Sequence, residues 1–340
     1  VALREATQAR RVAEGANDPD ETCRVAANAS AFQALVRLRQ GKLKDALERA
    51  QVALVEADRV GEKAATARAY GVIAWTHMMS DDPRALDVTR QALALYEELG
   101  DLVGQNDMNN NLGVLAYFEG RWDDALGYYR RSRDGAERVG NIVDVGFAEA
   151  NIGELLVNQR RFDEAEERLT DAVRVLRSTG ELSMATFAEL QIARIAKERG
   201  EFDRARAMLR DVEVESDANG FTANILEARL HLADCSLRTG DYQDALEQLE
   251  WAMSDAGEEA AMFGPTELRL RAVALAGVGR TQEAITILEG GIDAARDRGQ
   301  PYDEALMLEA VAVATAPDYP DVARESRDEA ERILRMLGVR

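Results

Sequence analysis

Two histidines and two cysteines are all that this chain of 340 residues offers of the side chains that most often ligate metals or attack substrates. His77 and His231 stand far apart, and neither has a cysteine or carboxylate at a zinc-binding spacing. Cys235 falls in register with Leu115, Leu155 and Ile195, which makes packing its expected role. Cys23 has no neighbour that would activate a thiolate. No Ser, Thr or Cys lies in a nucleophile-elbow sequence. The stretch Gly277-Val-Gly-Arg-Thr281 has the glycines of a phosphate loop but not its lysine, and it sits where a turn is expected. Asp123 and Asp124 stand at the start of a helical pattern, where carboxylates complement the helix dipole. These residues predict no catalytic centre, no metal site and no cofactor.

A carboxamide does recur. At a step of forty residues, Asn111, Asn151 and Gln191 occupy equivalent positions, and His231 and Arg271 continue the row. A carboxamide carries a donor and an acceptor, matching the pair that a peptide amide presents, without reading the peptide's side chains. Three residues further along each step stand Val114, Glu154, Arg194 and Asp234. Four residues before the carboxamides stand Asp107, Phe147, Phe187, Glu227 and Glu267. The plainer expectation for charged members such as Glu154, Arg194 and Asp234 is a solvated helix face whose residues pair across neighbours for less than ~1 kcal/mol each.

Rows that keep such a step require elements that repeat with it. An alanine is followed at +4, +7 and +11 by small or apolar residues and at +15 by glycine. The frame is seen at Ala125–Gly140, Ala165–Gly180 and Ala205–Gly220, and again from Ala46, Ala85, Ala284 and Ala323, whereas the unit starting at Ala245 lacks the glycine. Those offsets put the small residues on one stripe of an α-helix and the glycine where a left-handed residue ends it. A second amphipathic segment precedes each alanine. It carries a small residue at Gly113, Gly153, Ala193 and Ala233, and a short turn follows before Trp122, Phe162, Phe202 and Tyr242. Helix pairs of this kind cannot bury their apolar faces alone, so they must stack on their neighbours.

The pattern L-G-x-x-x-x-x-x-G-x-[WFY]-x-x-A resembles the tetratricopeptide repeat in a form of roughly 40 residues. It is strongest from Asp101 to Ala256 and departs from the pattern around Ala34, Ile73 and Val273. The resemblance implies an all-α fold, a right-handed α-solenoid of stacked antiparallel helix pairs. About eight pairs are expected, in approximate units 22–61, 62–100, 101–140, 141–180, 181–220, 221–260, 261–299 and 300–340. It further implies that the first helices line a concave groove and that the row of Asn111, Asn151, Gln191, His231 and Arg271 contacts an extended peptide there. Phe147, Phe187, Glu154, Arg194 and Asp234 are expected to flank that row. Residues 1–21 are read as the second helix of a preceding repeat whose first helix is missing, plus a linker, with a simple capping helix as the alternative.

The formal charge of -20 opposes a phosphate backbone, and no basic run interleaved with aromatics offsets it, so nucleic acid is not an expected partner. No apolar stretch approaches the ~18 residues needed to span a bilayer, and no signal peptide is recognisable, so a cytoplasmic protein is expected. The combined reading is a non-catalytic interaction and sensing scaffold whose partner is a protein or peptide segment, with a basic or amphipathic one suiting the acidic end of the groove best. Long arrays of this style resemble the C-terminal regulatory regions of bacterial signal-transduction ATPases, class III cyclases and transcriptional regulators, which implies the chain's own upstream domains as a further partner. The alternative is a receptor for an intracellular signalling peptide.

Overall fold

The structure is a computed structural model. It describes residues 18–339 apart from 81, 255–256 and 258–259, together with positions 4 and 8. The expectation for the opening stretch around Ala2, Ala6, Ala9 and Ala13 therefore lies outside the described residues.

Among the described residues there are sixteen helices and no strand. They run in eight consecutive pairs: α1 (Pro19–Arg39) and α2 (Leu43–Asp58), α3 (Lys63–Met79) and α4 (Ala85–Leu99), α5 (Leu102–Phe118) and α6 (Trp122–Val139), α7 (Ile142–Asn158) and α8 (Phe162–Thr179), α9 (Leu182–Glu198) and α10 (Phe202–Asn219), α11 (Thr222–Arg238) and α12 (Tyr242–Ser254), α13 (Ala260–Gly277) and α14 (Thr281–Arg298), α15 (Pro301–Thr315) and α16 (Pro320–Met336). The expected all-helical class, with short turns between tetratricopeptide-like pairs, is the one observed.

Why the even-numbered helices form is clearest in α8. Ala165, Leu169, Ala172 and Leu176 fall on one stripe and are all buried. Asp163 and Glu164 occupy the first turn and Arg177 the last, complementing the dipole at both ends. Gly180 ends the helix at φ 81°, and its N–H closes onto the carbonyls of Leu176 and Arg177. The small residues Gly113 and Gly153 of two first helices face the +4 position of the partner helix. A Cβ on Gly153 would come within 2.5 Å of Leu169, and one on Gly113 within 2.4 Å of the Tyr129 ring. Close approach is thus made against Leu169 and Tyr129, one turn beyond Ala165 and Ala125.

The chain divides into two compact units, residues 1–115 with 127–144, and residues 116–126 with 145–340. The first has an alanine-rich core in which Ala27, Ala31 and Ala34 of α1 meet Ala46, Ala50, Ala53 and Ala57 of α2. The second has a larger-residue core: Leu190, Leu209 and Val212 form one cluster, and Leu226, Leu230, Leu249 and Leu270 another.

Within the second unit, the elements earliest and latest in sequence touch. The Trp122 ring lies 5.0 Å from that of Tyr302, between centroids, and its indole N–H donates to the Tyr117 carbonyl at 3.1 Å. A Cβ on Gly120 would meet Pro301 at 2.3 Å. Gln159 donates to the Leu337 carbonyl at 3.4 Å, and Arg160 reaches Glu309 at 3.6 Å. This seam carries Tyr302 inward, onto the face that α7 and α9 share.

Candidate functional site

In the first unit, Asn111 lies on α5 with its side chain almost enclosed, 8 % of the residue being exposed. Its carboxamide makes no hydrogen bond with any described residue. The neighbouring Asn109 instead returns its amide to the Gln105 carbonyl of its own helix at 2.8 Å.

In the second unit the remaining row residues stand on α7, α9, α11 and α13. Asn151 and both phenylalanines, Phe147 and Phe187, are half-buried, whereas Gln191 is fully buried. Gln191 uses both ends of its carboxamide: Nε2 donates to Glu227 at 3.3 Å, and Oε1 accepts from Arg194 at 2.6 Å. Arg194 also donates to Asn158 Oδ1 at 2.8 Å, and the Asn158 amide donates to the Tyr117 hydroxyl at 2.6 Å. That hydroxyl in turn donates to Glu154 at 3.2 Å. On α13, Arg271 bonds Glu267 one turn before it and does not reach the other row members.

Asp234 does not sit on a solvated face. It is buried against Lys197, itself buried, and Arg238 adds a second contact at 3.3 Å. The Lys197 ammonium also lies 3.2 Å from His231 Nδ1. An ammonium can only donate, so Nδ1 accepts and the ring proton sits on Nε2, facing Glu227 at 3.7 Å. Burial works against charge on Asp234, but Lys197, Arg238 and Arg269 outweigh it and hold the carboxyl well below the usual carboxylate range. His231 is pushed down to about 4, by burial first and by Lys197 second, and is neutral at neutral pH. Glu154 is pushed up to about 7 by burial and by the nearby Glu227, against the pull of Arg194 and the Tyr117 hydroxyl.

Sequence reasoning missed Lys197, Asn158, Glu227's bond to Gln191, and the two tyrosines, Tyr117 and Tyr302. A signal for part of this was present. Asn151, Glu154 and Asn158, or His231, Asp234 and Arg238, continue one helix face at i, i+3 or i+4, and i+7. Following the face for one more turn finds Asn158, Glu198 and Arg238. Nothing local points to Tyr302, which arrives from 144 residues away to place its hydroxyl 3.5 Å from Asn158 Oδ1.

The arrangement can hold and orient polar or charged groups; it does not align a nucleophile with a base. Among the described residues no three His, Cys, Asp or Glu side chains gather as metal ligands. No described helix is long and apolar enough to cross a membrane. A cavity of about 430 Å³ opens on the opposite face of α11, where Arg229 stacks 3.6 Å from the Trp251 ring centroid, and it includes none of the row residues.

Tetratricopeptide-repeat models match residues 105–178 and 190–258. No curated protein matches the sequence. Among solved structures, a Rap protein complexed with competence and sporulation factor is similar at a TM-score of 0.73 and 14% identity, over 99% of this chain and 97% of that one. NprR in complex with its cognate peptide NprX is similar at 0.62 and 15%, over 91% and 96% of the two chains. A Signal Transduction ATPase with Numerous Domains that carries a tetratricopeptide repeat sensor, from Pyrococcus horikoshii, is similar at 0.56 and 14%, over 98% of this chain and 52% of that one. At these identities the likeness is one of fold.

Proposed function

We propose that this chain, a tetratricopeptide-repeat array, is a non-catalytic sensing scaffold that binds an extended peptide segment through the carboxamide-bearing faces of its first helices. The observation that carries the reading is Asn111: a carboxamide at the start of a row that recurs every forty residues, with no hydrogen-bond partner among the described residues. A peptide amide supplies the donor and acceptor it lacks. NprR was solved with its cognate peptide NprX bound and Rap with competence and sporulation factor, which supports a peptide as the ligand class. The protein works in the cytoplasm, away from membrane and nucleic acid, and has no reaction of its own.

A second reading, the regulatory part of a larger signalling protein that clamps its own upstream domains, is favoured by the similarity to the sensor-bearing ATPase, about half of which this chain spans. The two readings differ in where the ligand comes from, not in how it is held.

The test is retention of peptides from an equimolar pentapeptide pool by the purified chain, followed by calorimetric titration with the peptides retained. Asn111→Ala and Asn151→Ala are expected to weaken binding by about five- to a hundredfold each, the loss of one or two buried hydrogen bonds. Failure to retain any peptide, or equal affinity in both variants, would sink the proposal.

A further inference from the structure

The cavity of about 430 Å³ on the other side of α11 lies between α10 and α12, and its charged residues follow the same forty-residue step as the carboxamides. One repeat earlier, side chains bridge the corresponding second helices: Arg204 of α10 reaches Glu166 of α8 at 3.4 Å, and Glu166 also takes Arg199 at 2.5 Å. Forty residues on, the polarity is reversed, with Arg206 in the place of Glu166 and Asp244 in the place of Arg204. Here the bridge does not form. Arg206 donates instead to the Cys235 carbonyl at 3.2 Å and to the Thr239 hydroxyl at 2.8 Å. Asp244 accepts from the Ser236 hydroxyl at 2.7 Å and from the Gln248 amide. Both side chains line the cavity that separates them.

The acids of this cavity are committed to donors within the protein. Besides Asp244, Asp241 accepts the Asp244 backbone N–H at 3.3 Å, and Glu213 accepts from Arg229 at 2.8 Å. The cations on α10 are held more loosely. Arg206 has neutral acceptors and, at 3.9 Å, the fully exposed Asp203. Arg210, one turn further along and exposed, has no hydrogen bond or ion pair with any described residue. Like charges at i and i+4 of a helix repel, and an anion lying across both converts that repulsion into attraction. On the far wall, Arg229 stacks 3.6 Å from the ring centroid of Trp251, which is 48% exposed. A guanidinium and an indole held together in this way offer a flat surface to a further ring.

Two guanidiniums one turn apart present more N–H groups than the two oxygens of a carboxylate can take, whereas a phosphate monoester has three terminal oxygens. We infer that this cavity binds a nucleoside monophosphate, its phosphate lying across Arg206 and Arg210 and its base extending the Arg229–Trp251 stack. The volume is that of a small-molecule site. None of the carboxamide-row residues takes part, so the site does not rest on the peptide reading. The chain's charge of -20 works against indiscriminate binding of phosphates, which makes a local arginine pair the deciding element.

The test is calorimetric titration of the full chain, at fixed ionic strength, with the ribonucleoside 5′-monophosphates of adenine, guanine, cytosine and uracil, with the corresponding nucleosides, and with inorganic phosphate. At least one monophosphate is expected to bind at least about tenfold more tightly than its nucleoside and than phosphate alone, because the arginine pair and the stack each contribute. Arg210→Gln and Trp251→Leu, both at exposed positions and checked for folding by thermal melting, should each weaken that monophosphate by about tenfold. Retention of pentapeptides should be unchanged in Arg210→Gln, so this site and the peptide reading fail independently. Absence of binding by all four monophosphates, affinity unchanged in either variant, or phosphate alone binding as tightly as the best monophosphate overturns the inference.

Discussion

Glu154 and His231 carry opposite pH signatures on one wall. Burial and the nearby Glu227 push Glu154 up to about 7 from the usual carboxylate range, so the folded state holds its proton longer, and stability falls as pH rises from about 4.5 to about 7. His231 titrates at about 4 against 6.5, so the unfolded state takes the proton first, and stability falls as pH drops from about 6.5 to about 4. Each effect is worth about 3 kcal/mol at most, and between about pH 4.5 and 6.5 they oppose one another. The parent chain should therefore show little pH dependence from these two groups in that window. Glu154→Gln should be more stable than the parent at pH 8 and lose stability on acidification below pH 6.5, while His231→Gln should gain stability as pH falls from 7 to 4.5. Urea midpoints at pH 5 and pH 8 measure both, and identical profiles for parent and variants would refute the assignment. The spacing of the rows located these residues. It could not reveal that Asp234 meets a lysine, because Lys197 lies outside the heptad-like face on which Arg194 and Glu198 stand.

At the scale of the elements, the turns within six of the eight helix pairs carry a left-handed residue among the described residues. Glycine supplies it at Gly120, Gly200, Gly240 and Gly279, but the α7–α8 turn uses Arg160 at φ 59°. A non-glycine residue there costs roughly 1–2 kcal/mol, and the exposed ion pair that Arg160 makes with Glu309 returns less than about 1 kcal/mol. Arg160→Gly is accordingly expected to stabilise the chain by about 1 kcal/mol, read as a higher melting temperature. A lower one would mean that the contact with Glu309 contributes more to the seam than its exposure suggests. The glycine marks were readable from residue types alone, since only a residue without Cβ adopts that conformation freely. That Arg160 fills the same position was not, because nothing in the type of residue announces the strain.

For the whole molecule, repeat arrays transmit stability through nearest neighbours, and this one divides into two compact units with different cores. Trp75 lies in the first unit and Trp251 in the second. In a Trp122→Phe background these two report separately on unfolding. Lys197→Met, which strips the buried Asp234 of its principal counter-charge, should lower the stability reported by Trp251 by about 3 kcal/mol and leave the transition reported by Trp75 in place. Equal shifts at both tryptophans would show a single cooperative fold instead.

What the amino-acid order determined by itself is local and periodic: helices, their ends, the small residues of the first helices, and the recurrence that puts Asn111, Asn151 and Gln191 in equivalent places. A period of 3.6 residues within a helix and forty between repeats suffices for that, because each step depends only on its neighbours. The tertiary structure alone decided which charges find counter-ions and which do not. Tyr302 reaches Asn158 across 144 residues of sequence, and no local pattern encodes that contact.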